Sequence, residues 1–193
     1  VTVHEDGVST RAEFWIDDNG QLQGEYKSFY ENGQPERIST YLDNQLHGEV
    51  KHWFDDGQLQ HHYFSYRDQL HGPHFIWSEA GVLLSSYNYR YNKPHGPCTV
   101  WDNFGRIQCK YNYKDGVFHG EYEDYSYGDS AIPRRRCTYV DGECHGEVKN
   151  WMGDVLVWHY LMDKGAKHGE SKAWSSDGKL LLLHSFYRND VNI

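Results

Sequence analysis

The sequence predicts an all-β protein, an elongated, solenoid-like repeat of antiparallel β-hairpins that forms one twisted sheet of roughly fourteen to sixteen strands. Three observations predict it. A short frame, typified by HGEVKHWFDDGQL at residues 47–59, returns down the chain. An aromatic residue follows the glycine of each frame at a fixed distance, and turn-forming residues recur about every 12 positions. We therefore treat residues 1–193 as a single repeat domain.

The frame is measured from the glycine that follows each histidine, or Gln23 in the first copy. These glycines are Gly24, Gly48, Gly72, Gly96, Gly120, Gly146 and Gly169. The intervals between them are 24, 24, 24, 24, 26 and 23 residues. Five positions after each glycine come Phe29, Trp53, Trp77, Trp101, Tyr125, Trp151 and Trp174. An internal repeat of this length is the signature of a repeat architecture.

Turn residues divide each copy into two strands. Nine positions after the frame glycine lie Gly33, Gly57, Gly81, Gly105 and Gly178. Four positions before it lie Gly20, Asn44, Asp68, Asn92, Gly116, Gly142 and Gly165, all of residue types that tolerate a left-handed backbone. In the second copy we expect strands at 49–54 and 59–66, with turns at 55–58 and 67–72.

The aromatic residues are the expected core. An isolated hairpin is marginal in water, so stacked hairpins must join their aromatic faces. We expect Tyr41, Tyr89, Tyr113 and Tyr139, on second strands, to pack beside the first-strand aromatics. Trp53, Trp77 and Trp101 have two interpretations. They are core residues, or some of them stay exposed as a groove that binds a peptide or helix of a partner.

The pattern HGxxxxWxxxG…YxDGxxHG resembles MORN repeats over about residues 10–193. It best resembles the variant found in bacterial YwqK-like antitoxin proteins and in giant-virus proteins. The commoner eukaryotic unit has a second glycine two residues after the His-Gly, where this chain has Tyr26, Val50, His74, Cys98, Tyr122, Val148 and Ser171. The resemblance implies a scaffold or protein-interaction module, with an antitoxin-like binder or a peripheral phospholipid-binding module as alternatives. It also implies a viral source.

Net charge, the lack of long apolar runs and the lack of catalytic motifs limit the kinds of partner and function that we expect. The formal charge of −9 disfavours a nucleic-acid partner. We see no signal peptide and no apolar run of about 18 residues, so we expect an intracellular or virion-associated protein. Catalytic motifs such as GxSxG, Walker A and HExxH are absent from the sequence, and we expect neither an enzyme nor a cofactor. Open sheet edges favour homo-oligomers.

The recurring histidines are His47, His71, His95, His119, His145 and His168. Equivalent residues of consecutive hairpins are about 9.6 Å apart, twice the strand spacing, so one metal ion cannot join them. We expect each ring to pack at a turn and to bond to local backbone. His61–His62 is a separate candidate for a surface metal site.

Two further features leave alternatives open. The irregular insertion 127–137 contains Pro133 and a basic run, Arg134, Arg135 and Arg136, which is either a solvated bulge or a docking site for an acidic partner, phosphate or lipid headgroup. The cysteines lack CxxC spacing and are expected to be reduced thiols, with a Cys98–Cys109 bridge as the alternative.

Overall fold

The computed structural model describes residues 2–5, 9–125 and 131–193, with side chains described from Arg11 onwards. Residues 127–130 of the irregular insertion lie outside the described residues. All regular elements in the described ranges are β-strands, so the predicted all-β class of antiparallel hairpins is confirmed. By its contacts the chain divides into two compact units, residues 1–94 with 103–105 and residues 95–102 with 106–193.

Unit 1, the first of these, contains nine strands in which each pairs with the next in antiparallel fashion. They are β1 (Thr2–Glu5), β2 (Ser9–Ile16), β3 (Leu22–Phe29), β4 (Pro35–Leu42), β5 (Gln45–Trp53), β6 (Leu59–Tyr66), β7 (Gln69–Trp77), β8 (Leu83–Arg90) and β9 (Lys93–Pro94).

Unit 2 repeats the same antiparallel order over nine further strands. They are β10 (Gly96–Trp101), β11 (Ile107–Lys114), β12 (Val117–Asp124), β13 (Arg135–Val140), β14 (Glu143–Met152), β15 (Val155–Asp163), β16 (Ala166–Trp174), β17 (Leu181–Arg188) and β18 (Val191–Asn192). Short pairs at β9 and β18 take the strand number above the predicted fourteen to sixteen.

The turn four positions before each frame glycine is as predicted. All seven residues there have positive φ, as with +63° at Asn44 and +62° at Asp68. The extent of the turn was predicted wrongly. Only Arg67 and Asp68 form it, and His71-Gly72 lies inside β7, where the pairing with β6 shifts register. The frame dipeptide is therefore a β-bulge within a strand and not part of the turn.

Asparagine and aspartate at this turn also join successive repeats. The Asp68 amide donates to the Leu46 carbonyl (2.9 Å), and the Leu46 amide donates back to Asp68 Oδ1 (2.7 Å). Asn92 forms the same pair of bonds with Leu70. Asp68 and Asn92 thereby each satisfy two backbone groups of a strand residue 22 positions earlier, just after the preceding turn, which stacks the hairpins in register.

The most buried side chains are small. Val50 and Ser39 are fully buried in unit 1. In unit 2 Cys137, Cys144 and Val148 form a buried cluster, against which Tyr122, Tyr139, Tyr160 and Met162 pack. The core of each unit is thus a row of small residues flanked by aromatic rings.

Candidate functional site

Side chains of unit 1 alternate between the two faces of its strands. Register pairs place Tyr26, Ser39, Val50, Tyr63, His74 and Tyr87 side by side across β3 to β8. We call the face that carries this row the tyrosine face. Residues an odd number of positions from Val50 on β5, including Lys51 and Trp53, point to the other side, the tryptophan face.

Second-strand tyrosines lie directly opposite frame glycines. Tyr41 is the register partner of Gly24, and Tyr89 is the partner of Gly72. The Tyr41 ring meets Tyr26 edge-on, with centroids 5.9 Å apart. These tyrosines therefore share the tyrosine face with residues two positions after the glycine. The expectation that they pack beside the aromatics five positions after it is wrong, because that odd spacing leads to the tryptophan face.

A depression of about 540 Å³ opens on the tyrosine face of unit 1, and we refer to it as the histidine depression. Its lining residues are Leu46, His52, Gln60, His61, Tyr63, Ser65, Asp68, Leu70 and His74. The three histidines come from consecutive strands. His61 Nδ1 lies 3.2 Å from His74 Nε2, and the His52 and His61 rings are nearly perpendicular at 6.2 Å. Tyr63 stacks on His52 with ring centroids 6.0 Å apart.

The histidines of the depression are held in their neutral form. Burial, and then the neighbouring His61 and His52, lower the pKa of His74 to about 4. Burial lowers the pKa of His61, and burial together with the Arg37 guanidinium lowers that of His52. Arg37 donates to the Tyr41 hydroxyl at 3.3 Å at the edge of this cluster. At neutral pH the depression offers uncharged rings that both donate and accept hydrogen bonds.

Sequence reasoning missed this depression, although a signal was available. His52 and His74 lie four and two positions after their frame glycines, and even spacing keeps each on the glycine's face of its strand. His61 is the register partner of His52. Counting which residues alternate to each face of the strands would have predicted that the three rings lie on the same face.

The tryptophan face carries repeated charge clusters. Lys51 Nζ and His62 Nε2 lie 2.9 and 2.8 Å from the same Glu49 carboxylate oxygen. The same arrangement recurs in unit 2, where Glu170 contacts Lys172 and His184. The hydrogen bond from Lys51 leads the effects that lower the pKa of Glu49. The predicted partner-binding residues Trp53 and Trp77 lie on this face of unit 1 and are half-buried, and Trp101 is half-buried in unit 2.

Two arginines of the predicted basic site contact acidic neighbours. Arg134 lies 2.6 Å from buried Asp124, and Arg136 contacts Glu123 at 2.7 Å. Arg135 is half-buried. Arg134 and Arg136 therefore form ion pairs with β12, and docking of an acidic partner, phosphate or lipid headgroup at this run stays a prediction.

Four of the frame histidines contact residues at or beside turns, as expected, but the expected bond to local backbone is wrong for His47 and His71, whose buried Nδ1 atoms have no hydrogen-bond partner. The His47 and His71 rings lie 5.0 and 4.7 Å from the rings of Tyr66 and Tyr91. His95 Nδ1 accepts a hydrogen bond from the Asp115 amide at 3.3 Å, and His119 accepts one from the Asp141 amide at the same distance. In the described part of the chain, three or more His, Cys, Asp or Glu residues are nowhere grouped to hold a metal ion.

The adjacent histidines of β6 and the four cysteines were two further features of the sequence. His61 and His62 point to opposite faces of β6, so they do not form the paired site that their adjacency suggested. All four cysteines are free thiols, and Cys98 pairs in register with Tyr111 instead of Cys109. Within the described ranges no helix has the length and apolar character that a membrane span requires.

Residues 22–43 and 46–68 match the family model of the MORN repeat variant. These two segments are similar to MORN repeats. They span β3 to β6 of unit 1 and supply His52, His61 and Tyr63 to the histidine depression. MORN repeats generally act as protein- or membrane-interaction modules. No curated protein matches the chain. The narrower resemblance to YwqK-like antitoxins and giant-virus proteins stays a prediction.

Proposed function

We propose that the protein is a non-enzymatic interaction module that binds a protein partner on the tyrosine face of unit 1. The observation that carries this proposal is the histidine depression, a 540 Å³ hollow on the face of two segments similar to MORN repeats. Its walls combine apolar Leu46 and Leu70 with the polar edges of Tyr63 and three histidines. Such a combination accepts a partner side chain by burial and orients it by hydrogen bonds.

The strand framework supports a preorganised surface. Tyr63 and His74 are held by register pairing on both sides, and ring contacts at 5.2 Å join them to each other. Side chains ordered before association lose less conformational entropy on binding. This favours binding of the partner to a surface that is already ordered in the free protein.

The alternatives receive less support from specific contacts. A phospholipid-binding role would draw on Arg134 and Arg136, whose guanidinium groups already contact Asp124 and Glu123. An antitoxin-like role is the special case in which the protein partner is toxic. The experiment below recovers a toxic partner in the same way as any other protein.

The test uses a matched pair of substitutions in one segment. Gln60 lines the depression, whereas Gln58 is exposed in the preceding turn. The wild-type chain is used as bait in affinity purification from its native source, and each recovered partner is purified for binding measurements. We expect Gln60→Arg to weaken partner affinity at least tenfold and Gln58→Arg to leave it within twofold. A partner that binds both variants like the wild type would show that this face is not the interface.

A further inference from the structure

We propose that His61 and His74 form a binding site for a borderline divalent transition-metal ion such as Zn²⁺ or Ni²⁺. The two side chains come from neighbouring strands β6 and β7, and both line the histidine depression. The site has two protein nitrogens, and water completes the coordination sphere. It does not depend on the proposed partner binding.

The spacing of the two nitrogens fits a shared ion. Zinc–nitrogen bonds of about 2.0–2.1 Å in tetrahedral geometry place two ligand nitrogens about 3.3–3.4 Å apart. His61 Nδ1 and His74 Nε2 are 3.2 Å apart. Without metal, one ring donates its N–H to the other across this gap. The ring centroids are 5.5 Å apart, so the two nitrogens face each other nearly head-on. Each ring must tilt by about 35° for both lone pairs to point at one tetrahedral ion beside the pair.

Only a neutral imidazole has a lone pair for a metal. Histidine side chains have an ordinary pKa of about 6.5, so the experiment is carried out above it, at pH 7.5. When the ion binds, the proton now between the rings moves to the other nitrogen of its own ring. The chain releases no net proton, so proton competition is small near neutral pH.

The surroundings provide room and suggest which ions bind. The histidine depression is open in front of the two rings, with space for water ligands. His52 stands beside the pair, with its ring centroid 6.2 Å from that of His61. Imidazole nitrogen suits zinc, copper and nickel, whereas magnesium and calcium require mainly oxygen ligands. The site therefore selects borderline ions.

The chain offers a close control for this proposal. His62 follows His61 directly but lies on the tryptophan face, where its Nε2 is 2.8 Å from a Glu49 oxygen. Loss of one histidine at either position removes the same number of imidazoles from the protein. Only the loss of His61 removes a ligand of the proposed site.

The experiment titrates ZnCl₂ into the full chain at pH 7.5, in buffer free of phosphate and imidazole. The ring resonances of all 13 histidines are followed by NMR, and affinity is measured by calorimetry. We expect the His61 and His74 resonances to shift together at the lowest zinc concentrations. We expect His61→Gln and His74→Gln each to weaken this binding at least tenfold, and His62→Gln to change it less than twofold.

Two outcomes would overturn the proposal. One is that other histidines respond at zinc concentrations below those that shift His61 and His74. The other is that His61→Gln and His62→Gln lower zinc affinity equally. The wild-type titration decides the matter even if a variant fails to fold. Because the readout is zinc binding by the chain alone, its failure leaves the proposed partner binding untouched, and the converse also holds.

Discussion

At the residue scale, Gly48 shows why the frame requires glycine. Its φ is +114°, and a Cβ added there would lie 3.4 Å from the Cβ of Thr40 on β4. Gly48 is also the register partner of Ser65 on β6. The small left-handed region open to L-residues extends only to about +70°, so this bulge conformation is available to glycine alone.

We expect Gly48→Ala to destabilise the protein by about 2 kcal/mol, because its φ of +114° lies far outside the left-handed region open to L-residues. Gly33→Ala is the control. Gly33 has φ of +83° in a turn, closer to that region, and nothing lies within 4 Å of its added Cβ. It should cost about 1 kcal/mol. Urea unfolding followed by tryptophan fluorescence measures both. Equal losses would show that the larger φ of Gly48 adds no strain.

At the element scale, strand periodicity was predictable and the details of pairing were only partly so. The position four residues before the frame glycine was predicted to be left-handed because only Gly, Asn and Asp occur there, and the φ values confirm it. The His-Gly bulge was missed, since the same residue types suit turns and bulges alike. Tyr41 and Trp53 were wrongly expected to pack side by side, although the odd spacing of the tryptophan from its frame glycine already indicates the opposite face.

The ion pairs of the basic run lay beyond sequence reasoning. Arg136 is opposite Glu123 because β12 and β13 pair in one particular register across the irregular insertion. An insertion of unknown geometry hides that register, so the run looked like a free basic patch. Burial raises the pKa of Glu123, but the Tyr125 hydroxyl and the Arg136 guanidinium outweigh burial, and the net shift is downward. The carboxylate therefore stays charged and paired.

We expect Arg136→Ala to destabilise the protein by about 1–2 kcal/mol, because it leaves the Glu123 carboxylate, only 15% exposed, without its guanidinium partner. Lys172→Ala is the control within unit 2. Its ammonium lies 2.8 Å from Glu170, a more exposed carboxylate that His184 also contacts. That change should cost less than about 0.5 kcal/mol. Denaturant midpoints of the two variants test the difference. Similar losses would mean that burial of Glu123 does not strengthen its pair.

At the scale of the whole molecule, two classes of titrating groups set the dependence of stability on pH. Carboxylates with lowered pKa values, among them Glu49, Glu147 and Glu170, lose their stabilising effect mainly below about pH 4.5. The pKa values of His52, His61 and His74 are also lowered, but a histidine is neutral above its pKa and positively charged below it. Their neutral rings resist protonation in the folded chain, whereas the unfolded chain binds protons from about pH 6.5 downwards. The window between pH 7.5 and 5 therefore isolates the histidines.

His74 should dominate that window, and metal-free buffer with EDTA keeps its titration simple. Its pKa is about 4 in the folded chain and 6.5 unfolded, so its stabilisation is complete above pH 6.5 and is lost as pH falls towards 4. Between pH 7.5 and 5 this loss is about 1–2 kcal/mol, because solvent screens a ring that is only partly buried. We expect His74→Gln to remove that part of the pH dependence and His62→Gln to keep it. Urea unfolding at both pH values measures this. An unchanged pH dependence in His74→Gln would show that the ring is not buried among its neighbours in solution.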